Sequence, residues 1–251
     1  MTLRGLVVAL AFAVGGCATT SGDPRDPFEG LNRGVYGFND KVDTWVMRPV
    51  ATGYNNYVPG EIRDRVRNFF ANIADPMIGV HNILQGKFED GFFDWVRFGF
   101  NTTFGLFGLH DVATDMGYEK HNEDFGQTFG RWGSPTGPYL VLPFLGSSNI
   151  RDGIGLGLDY YFDPMTGVRD KDLSYGLWAV RIVQVRSDLL DASRILEEAA
   201  LDKYTFQRDA YLQRRRSLIY DGRPPREREP QSGVNPQEGR DVDNIAAGGR
   251  P

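Results

Sequence analysis

KFEDGFFDWVRFGFNTTFGLFG, residues 87–108, is the stretch on which the fold of this chain turns. At the helical pitch, Asp90, Asp94, Arg97 and Asn101 fall within about 60° of one another. Phe92, Phe93, Trp95, Val96, Phe98, Phe100, Phe104, Leu106 and Phe107 take most of the remaining circumference. A helix apolar nearly all round lies deep in a large core or in lipid. The chain has 251 residues and a mean hydropathy of −0.38, so it is too small and too polar elsewhere to wrap this helix wholly in protein. The alternative is a central core helix with one solvated edge. In lipid, the polar stripe would turn toward an aqueous channel or a partner helix. The uncharged part, 98–109, has the length of about one leaflet.

Working outward, the same logic gives a mainly α chain. Asp26 is a candidate N-cap, Pro27 occupies the first helical position, and Glu29 completes a capping-box pattern. Phe28, Leu31, Val35, Phe38, Val42 and Trp45 then share one face, with Pro49 ending or kinking the segment. A further helix is expected from Glu61 to Ile73, stopped before Pro76. Residues 110–150 are rich in glycine and proline and read as ordered loop. The best strand is Tyr139–Leu142, before Pro143, which makes a short hairpin the expected departure from helix. Helix returns after residue 151. Its last member, about Lys203 to Tyr220, carries Arg208, Arg214, Arg215 and Arg216. That cluster reads as a solvated face aided by the helix dipole, or as a contact for anionic headgroups or an acidic partner. Half of the aromatic residues lie between Phe28 and Phe107, a density suited to a protein–lipid boundary.

The N-terminus supplies the anchor. Residues 1–16 combine Arg4, an apolar run from Leu6 to Val14, and two small residues before Cys17, the one cysteine of the chain. This is a secretory signal peptide, and VGGC resembles a lipobox, in which the cysteine becomes the acylated first residue. Ala18 in the next position favours the outer membrane. Residues 17–25 read as a lipidated tether, 26–220 as the helical domain, and 221–251 as a disordered tail. No stretch reads as a spanning helix: the longest uncharged run, 132–150, contains Pro135, Pro138 and Pro143.

Composition narrows the function. A net charge of −5 argues against a nucleic-acid binder. One cysteine and three histidines offer little to a metal. There is no G-x-S-x-G nucleophile turn and no Walker A loop, and Leu158 occupies the last glycine position of the Gly153–Gly155 pattern. The sequence therefore points to no catalytic residue, no metal and no cofactor.

The strings DPFEGLNRGVYGFND (26–40), RPVATGYNNYVP (48–59), VRNFFANIADP (66–76), NILQGK (82–87), RFGFNTTFGLFGLHDVA (97–113), EDFGQTFGRWG (123–133), GPYLVLPFLGSSNIRDGIG (137–155) and DKYTFQRDAYLQRRR (202–216) resemble the MlaA (VacJ) lipoprotein family. The resemblance runs in order over nearly the whole mature chain. It implies a ring-like assembly of amphipathic helices embedded in one leaflet, with an amphipathic channel through the ring. It implies an outer-membrane lipoprotein, lipid-anchored on the periplasmic side, that removes mislocalised phospholipids from the outer leaflet. Implied partners are phospholipids, a trimeric outer-membrane porin, and a soluble periplasmic lipid carrier with an inner-membrane ABC transporter downstream. The alternative is a structural porin-associated lipoprotein without transport activity.

Site residues follow as expectations. Phe38, Asn39 and Asp40 resemble the family's Phe-Asn motif near the channel. Asp90, Asp94, Arg97 and Asn101 are candidates for the polar lining or for packing against the next helix. The segment from Gly126 to Gly146, with Gln127, Trp132, Gly133, Gly137, Tyr139 and Pro143, is the candidate gate or mouth, because its glycines permit bends and its prolines restrict them.

Overall fold

A computed structural model describes residues 22–225. The expected signal peptide, the acylation at Cys17 and the tail from 226 onward lie outside the described residues. The chain is mainly helical. It opens with α1 (Glu29–Val42), a π-helical turn (Asp43–Met47) and α2 (Arg48–Tyr57), followed by α3 (Gly60–Leu84) and α4 (Phe88–Thr103). Short helices α5 (Val112–Asp115) and α6 (Phe125–Arg131) precede a hairpin of β1 (Tyr139–Leu142) and β2 (Gly146–Asn149). The chain then forms α7 (Ile150–Phe162), a 3₁₀ turn (Pro164–Gly167), α8 (Lys171–Asp188), α9 (Leu190–Ala199) and α10 (Lys203–Ile219). Several starts are set by Asp or Asn side chains that accept from the first-turn amides. Asp124 takes Gln127 N, Asn149 takes Asp152 N, Asp170 takes Leu173 N and Asp202 takes Thr205 N. No described helix is long and apolar enough to cross a membrane.

Three local expectations are corrected. Asp26 does not cap α1. It is buried, accepts from Asn32 and the Tyr204 hydroxyl, and faces Arg208, while Phe28 stands at the cap. Pro76 does not stop α3, which runs on to Leu84. The continuation is held by tertiary contact, since the Trp95 indole donates to the Pro76 carbonyl at 2.9 Å and Gly79 meets Gly91 backbone to backbone. Proline removes one helical hydrogen bond, and packing along a long helix offsets that loss. Residues 110–150, expected as loop and hairpin, also contain α5 and α6. Those two helices are capped by Asp111 and Asp124 and are too short to show a hydrophobic period.

The packing forms a closed circuit. α1 leads through the π turn into α2, α2 packs on α8, and α8 packs on α3. α3 packs on α6, α6 on α7 and α10, and both of those reach β2. β2 pairs with β1, which returns to α1. α4 lies outside this circuit against α3 and α5.

The distribution of side chains is inverted relative to a water-soluble globule. Among the described residues, nine apolar side chains are buried against nineteen polar or charged ones. Large apolar groups stand outside instead, including Trp45, Tyr57, Phe88, Phe92, Phe104, Phe107, Phe144, Tyr161 and Ile195. Water drives apolar groups inward; hydrocarbon does not, and it requires polar groups to satisfy one another internally.

Where α6 crosses α7, a Cβ on Gly155 would lie 2.5 Å from the Gly126 amide nitrogen. Gly155→Ala is therefore expected to destabilise the fold by about 1–3 kcal/mol. Gly157, two residues on, has nothing within 4 Å of its added Cβ. There alanine should be stabilising by about 0.5–1 kcal/mol. Thermal melts of the two variants should shift in opposite directions; equal shifts would refute the crossing argument.

Candidate functional site

The hairpin is fastened to α1 by two asparagines spaced seven residues apart. Asn32 donates to the Tyr139 carbonyl at 3.0 Å and accepts from Val141 N at 2.9 Å. Asn39 donates to the Leu142 carbonyl at 2.9 Å and accepts from Phe144 N at 2.8 Å. Each carboxamide mimics a peptide group, so two helical turns satisfy the edge of β1 that β2 leaves unpaired. The tip, Pro143–Leu145, projects Phe144 and Leu145 outward, with Phe144 at φ +65°. Phe38 meets the Phe144 ring edge-on at 5.2 Å between centroids. Asp40 is exposed, and Tyr139 is buried with its hydroxyl 2.8 Å from the Ser147 hydroxyl. The structure thus brings Phe38, Asn39, Tyr139 and Pro143 to one place.

The stripe on α4 is a second group. Asp94 accepts from Asn82 at 2.7 Å and lies 2.9 Å from His121 Nδ1. Arg97 grips both oxygens of Asp111 at 2.9 Å and also donates to Thr114 and the Tyr118 carbonyl. Its Nε is 3.9 Å from Asp75, which pairs with Lys120. Asn101 donates to Asp111 and accepts from Ala113 N. Asp94, Arg97 and Asn101 are buried, held between α3 and the 111–121 segment, whereas Asp90 is half-exposed, 4.0 Å from His121. Of the two places expected for the stripe, these three side chains occupy the one against the neighbouring helix.

The third group surrounds α6. Gly126 forms the crossing with α7, Gln127 is buried under the Asp124 cap, and the Trp132 indole donates to the Leu84 carbonyl at 2.8 Å. Gly133 and Gly137 take φ of +90° and +70°, which glycine adopts without strain. Here the reading of the basic helix is corrected. Arg215 is turned inward between Asp124 (2.6 Å) and Asp152 (2.9 Å). Arg208 is turned inward onto Asp23, Asp26 and Asp209. Carboxylates from three other segments converge on α10, so those two arginines meet protein rather than solvent; Arg214 remains exposed. Nothing in α10 alone announces this. The chain from Asp23 to Arg25, expected as tether, is held by the same ion pairs.

Sequence reasoning missed Asn32 and Asp152, and it named Arg215 without its partners. The seven-residue spacing of Asn32 and Asn39 was the available signal for the first. No described group of His, Cys, Asp or Glu has the arrangement to hold a metal.

These ion pairs set the acid response. The Arg25 guanidinium holds Asp23 down at about 2, from an ordinary 3.8. Arg186 lowers Asp43. Burial pushes Asp124 and Asp152 up, but Arg215, with Gln127 at the first and Tyr211 and Arg151 at the second, together more than offset it. Asp75 runs the other way, raised by burial. A carboxylate with a depressed folded value stabilises the fold above its ordinary value and loses that contribution as pH falls through the folded one. Depressed groups outnumber the raised one, so melting temperature should drop between about pH 4 and pH 2. Circular dichroism melts across that range check it; a flat profile would contradict the ion-pair account.

The MlaA lipoprotein family model matches residues 24–218. The chain is 33% identical to the intermembrane phospholipid transport system lipoprotein MlaA of Escherichia coli (strain K12), over 97% of this chain and 99% of that protein. It is 30% identical to the protein of the same name from Haemophilus influenzae, over 89% and 93%. A structure solved in work on the structural basis for maintenance of bacterial outer membrane lipid asymmetry superposes with a TM-score of 0.67. It shares 34% identity, over 77% of this chain and 98% of that one.

Proposed function

This chain belongs to the MlaA lipoprotein family, and on that premise we propose how it works. It is a lipoprotein of intermembrane phospholipid transport that maintains the lipid asymmetry of the outer membrane. Phospholipid misplaced in the outer leaflet enters an amphipathic path through a ring of helices seated in the inner leaflet. It leaves to a soluble periplasmic carrier, with an inner-membrane ABC transporter downstream and a trimeric porin alongside. Cys17 carries the anchor, residues 26–220 form the transporting domain, and the tail follows it. No catalytic residue is assigned.

The observation that carries this reading is the inverted distribution of side chains, polar within and apolar without, on elements that pack in a closed circuit. A charged headgroup is costly to move through hydrocarbon, and a polar interior spares that cost while the tails stay with apolar surface. Phe38, Asn39 and Asp40 with the hairpin tip Pro143–Leu145 are our choice for the mouth of the path. Gly133 and Gly137 are its bends. Asp90 is the member of the α4 stripe with an open side, and Asp94, Arg97 and Asn101 brace the wall behind it.

The test is a strain lacking this protein. Surface labelling should reveal phospholipid in the outer leaflet, and the full chain should remove it. Intact asymmetry in that strain, with porin co-purifying with the protein from the parent strain, would instead leave a porin brace without transport.

A further inference from the structure

α2 and the corner from α8 into α9 are far apart in sequence, yet they enclose a cleft of about 300 Å³. Arg48, Arg186, Arg194, Asp191, Glu197 and Leu190 line it. Two of the three guanidiniums are held by carboxylates. Arg48 bonds Glu197 at 2.6 and 3.2 Å and reaches Asp43 at 3.3 Å. Arg186 clamps the same Asp43 through Nε and Nη2, the latter at 2.8 Å. Its Nη1 is buried and finds no hydrogen-bond partner among the described residues. A buried charged donor left without an acceptor is unfavourable, so such a group marks a place for a ligand oxygen. Arg194 is largely exposed, its contact with Asp191 is a loose 3.5 Å, and most of its fork is unspent. Thr52 and Ser193 add hydroxyls to the same lining.

The chemistry that fits is an anionic oxygen cluster, for which guanidinium forks are the natural match. Asp43, Asp191 and Glu197 balance the three arginines in formal charge, so the cleft has no excess positive charge to hold a free dianion. A phosphodiester beside an ammonium suits it better, with the ammonium facing the rim carboxylates and the phosphate facing Arg186 and Arg194. Apolar surface adjoins it. Trp45, 76% exposed, stands one turn before Arg48, and Leu189 is exposed beside Leu190. We propose that this cleft binds the phosphodiester of a zwitterionic phospholipid headgroup through the guanidinium groups of Arg186 and Arg194. This inference rests on the transport reading above and adds to it a holding site for the headgroup.

The experiment uses the full lipidated protein in detergent. Its probes are dihexanoyl phosphatidylethanolamine, inorganic phosphate and dihexanoyl glycerol. Arg186→Lys keeps a cation for Asp43 but removes the second N–H fork, and Arg194→Glu changes an exposed side chain that leaves folding untouched. Each variant should bind the phosphatidylethanolamine about tenfold or more weakly, the loss of one charge-assisted hydrogen bond, with helical content unchanged. Inorganic phosphate and the neutral glyceride should bind far more weakly than the phospholipid. Phosphate binding as tightly as the phospholipid would make this a free-anion site and overturn the headgroup assignment. Unchanged affinity in the folded variants, or no saturable binding by the parent, would overturn it as well. Outer-leaflet phospholipid in cells separates the two proposals. If the strain lacking the protein loses asymmetry but the cleft variants bind normally, the cleft fails and transport stands. If that strain keeps its asymmetry, the transport reading fails whatever the cleft binds.

Discussion

Replacing Arg97 by alanine is expected to destabilise the fold by about 3–5 kcal/mol. The guanidinium is 1% exposed and grips both oxygens of Asp111, with Asp75 3.9 Å away and itself buried. Alanine would remove the cation and leave Asp75 with Lys120 alone and Asp111 with only Asn101 and Thr114. It would also remove the donor to the Tyr118 carbonyl and one of the two partners of the Thr114 hydroxyl, which keeps its bond to Asp111, loosening the 111–118 segment against α4. An exposed pair gives the contrast. Arg67 and Asp64 are half-exposed, and removing the Asp64 partner should cost only about 0–1 kcal/mol. Denaturant unfolding of the two variants in the same detergent measures both. An Arg97→Ala loss no larger than that of Asp64→Ala would mean that the buried cluster does not organise α4.

The second large effect is on function. Asn39→Leu removes both hydrogen bonds that tie the hairpin tip to α1, at Leu142 and at Phe144. Each contributes about 1 kcal/mol, so the fold should survive. The tip should not stay in place, because Phe144 is held at φ +65°, a conformation costly for a side chain of that size. Outer-leaflet phospholipid should rise toward the level of a strain lacking the protein. Asn32→Leu on the same helix should behave differently. Asn32 is buried and also bonds Asp26, so its loss should lower stability and protein abundance together. Normal asymmetry with well-expressed Asn39→Leu protein would remove the hairpin tip from the lipid path.

Much of this fold was legible because apolar residues run nearly all round α4. The near-continuous apolar circumference of residues 87–108 left only a narrow polar stripe, and that stripe is the one the structure buries at Asp94, Arg97 and Asn101. The strand 139–142 was visible as a short apolar run against Pro143. α6 was not visible, since a seven-residue helix shows no period, even though Asp124 at its start is a capping residue type. The continuation of α3 past Pro76 was hidden for a different reason. Proline is a local stop signal, and the contacts that override it come from Trp95 and Gly91 on another helix.

The family, the helical class and the apolar character of α4 were settled by the sequence alone, because periodicity and long motif strings are properties of neighbouring residues. Which polar groups meet was decided only by the tertiary structure. Arg215 reads as one of four basic residues on a helix end until Asp124 and Asp152 arrive from elsewhere in the chain. Asn32 lies off the apolar face of its helix, and Asn39 reads only as part of a family-like motif, until β1 lies along both. The physical reason is common to both. In a protein whose interior is polar, the fold is specified by directional hydrogen bonds and ion pairs between distant residues, and a linear sequence does not encode direction.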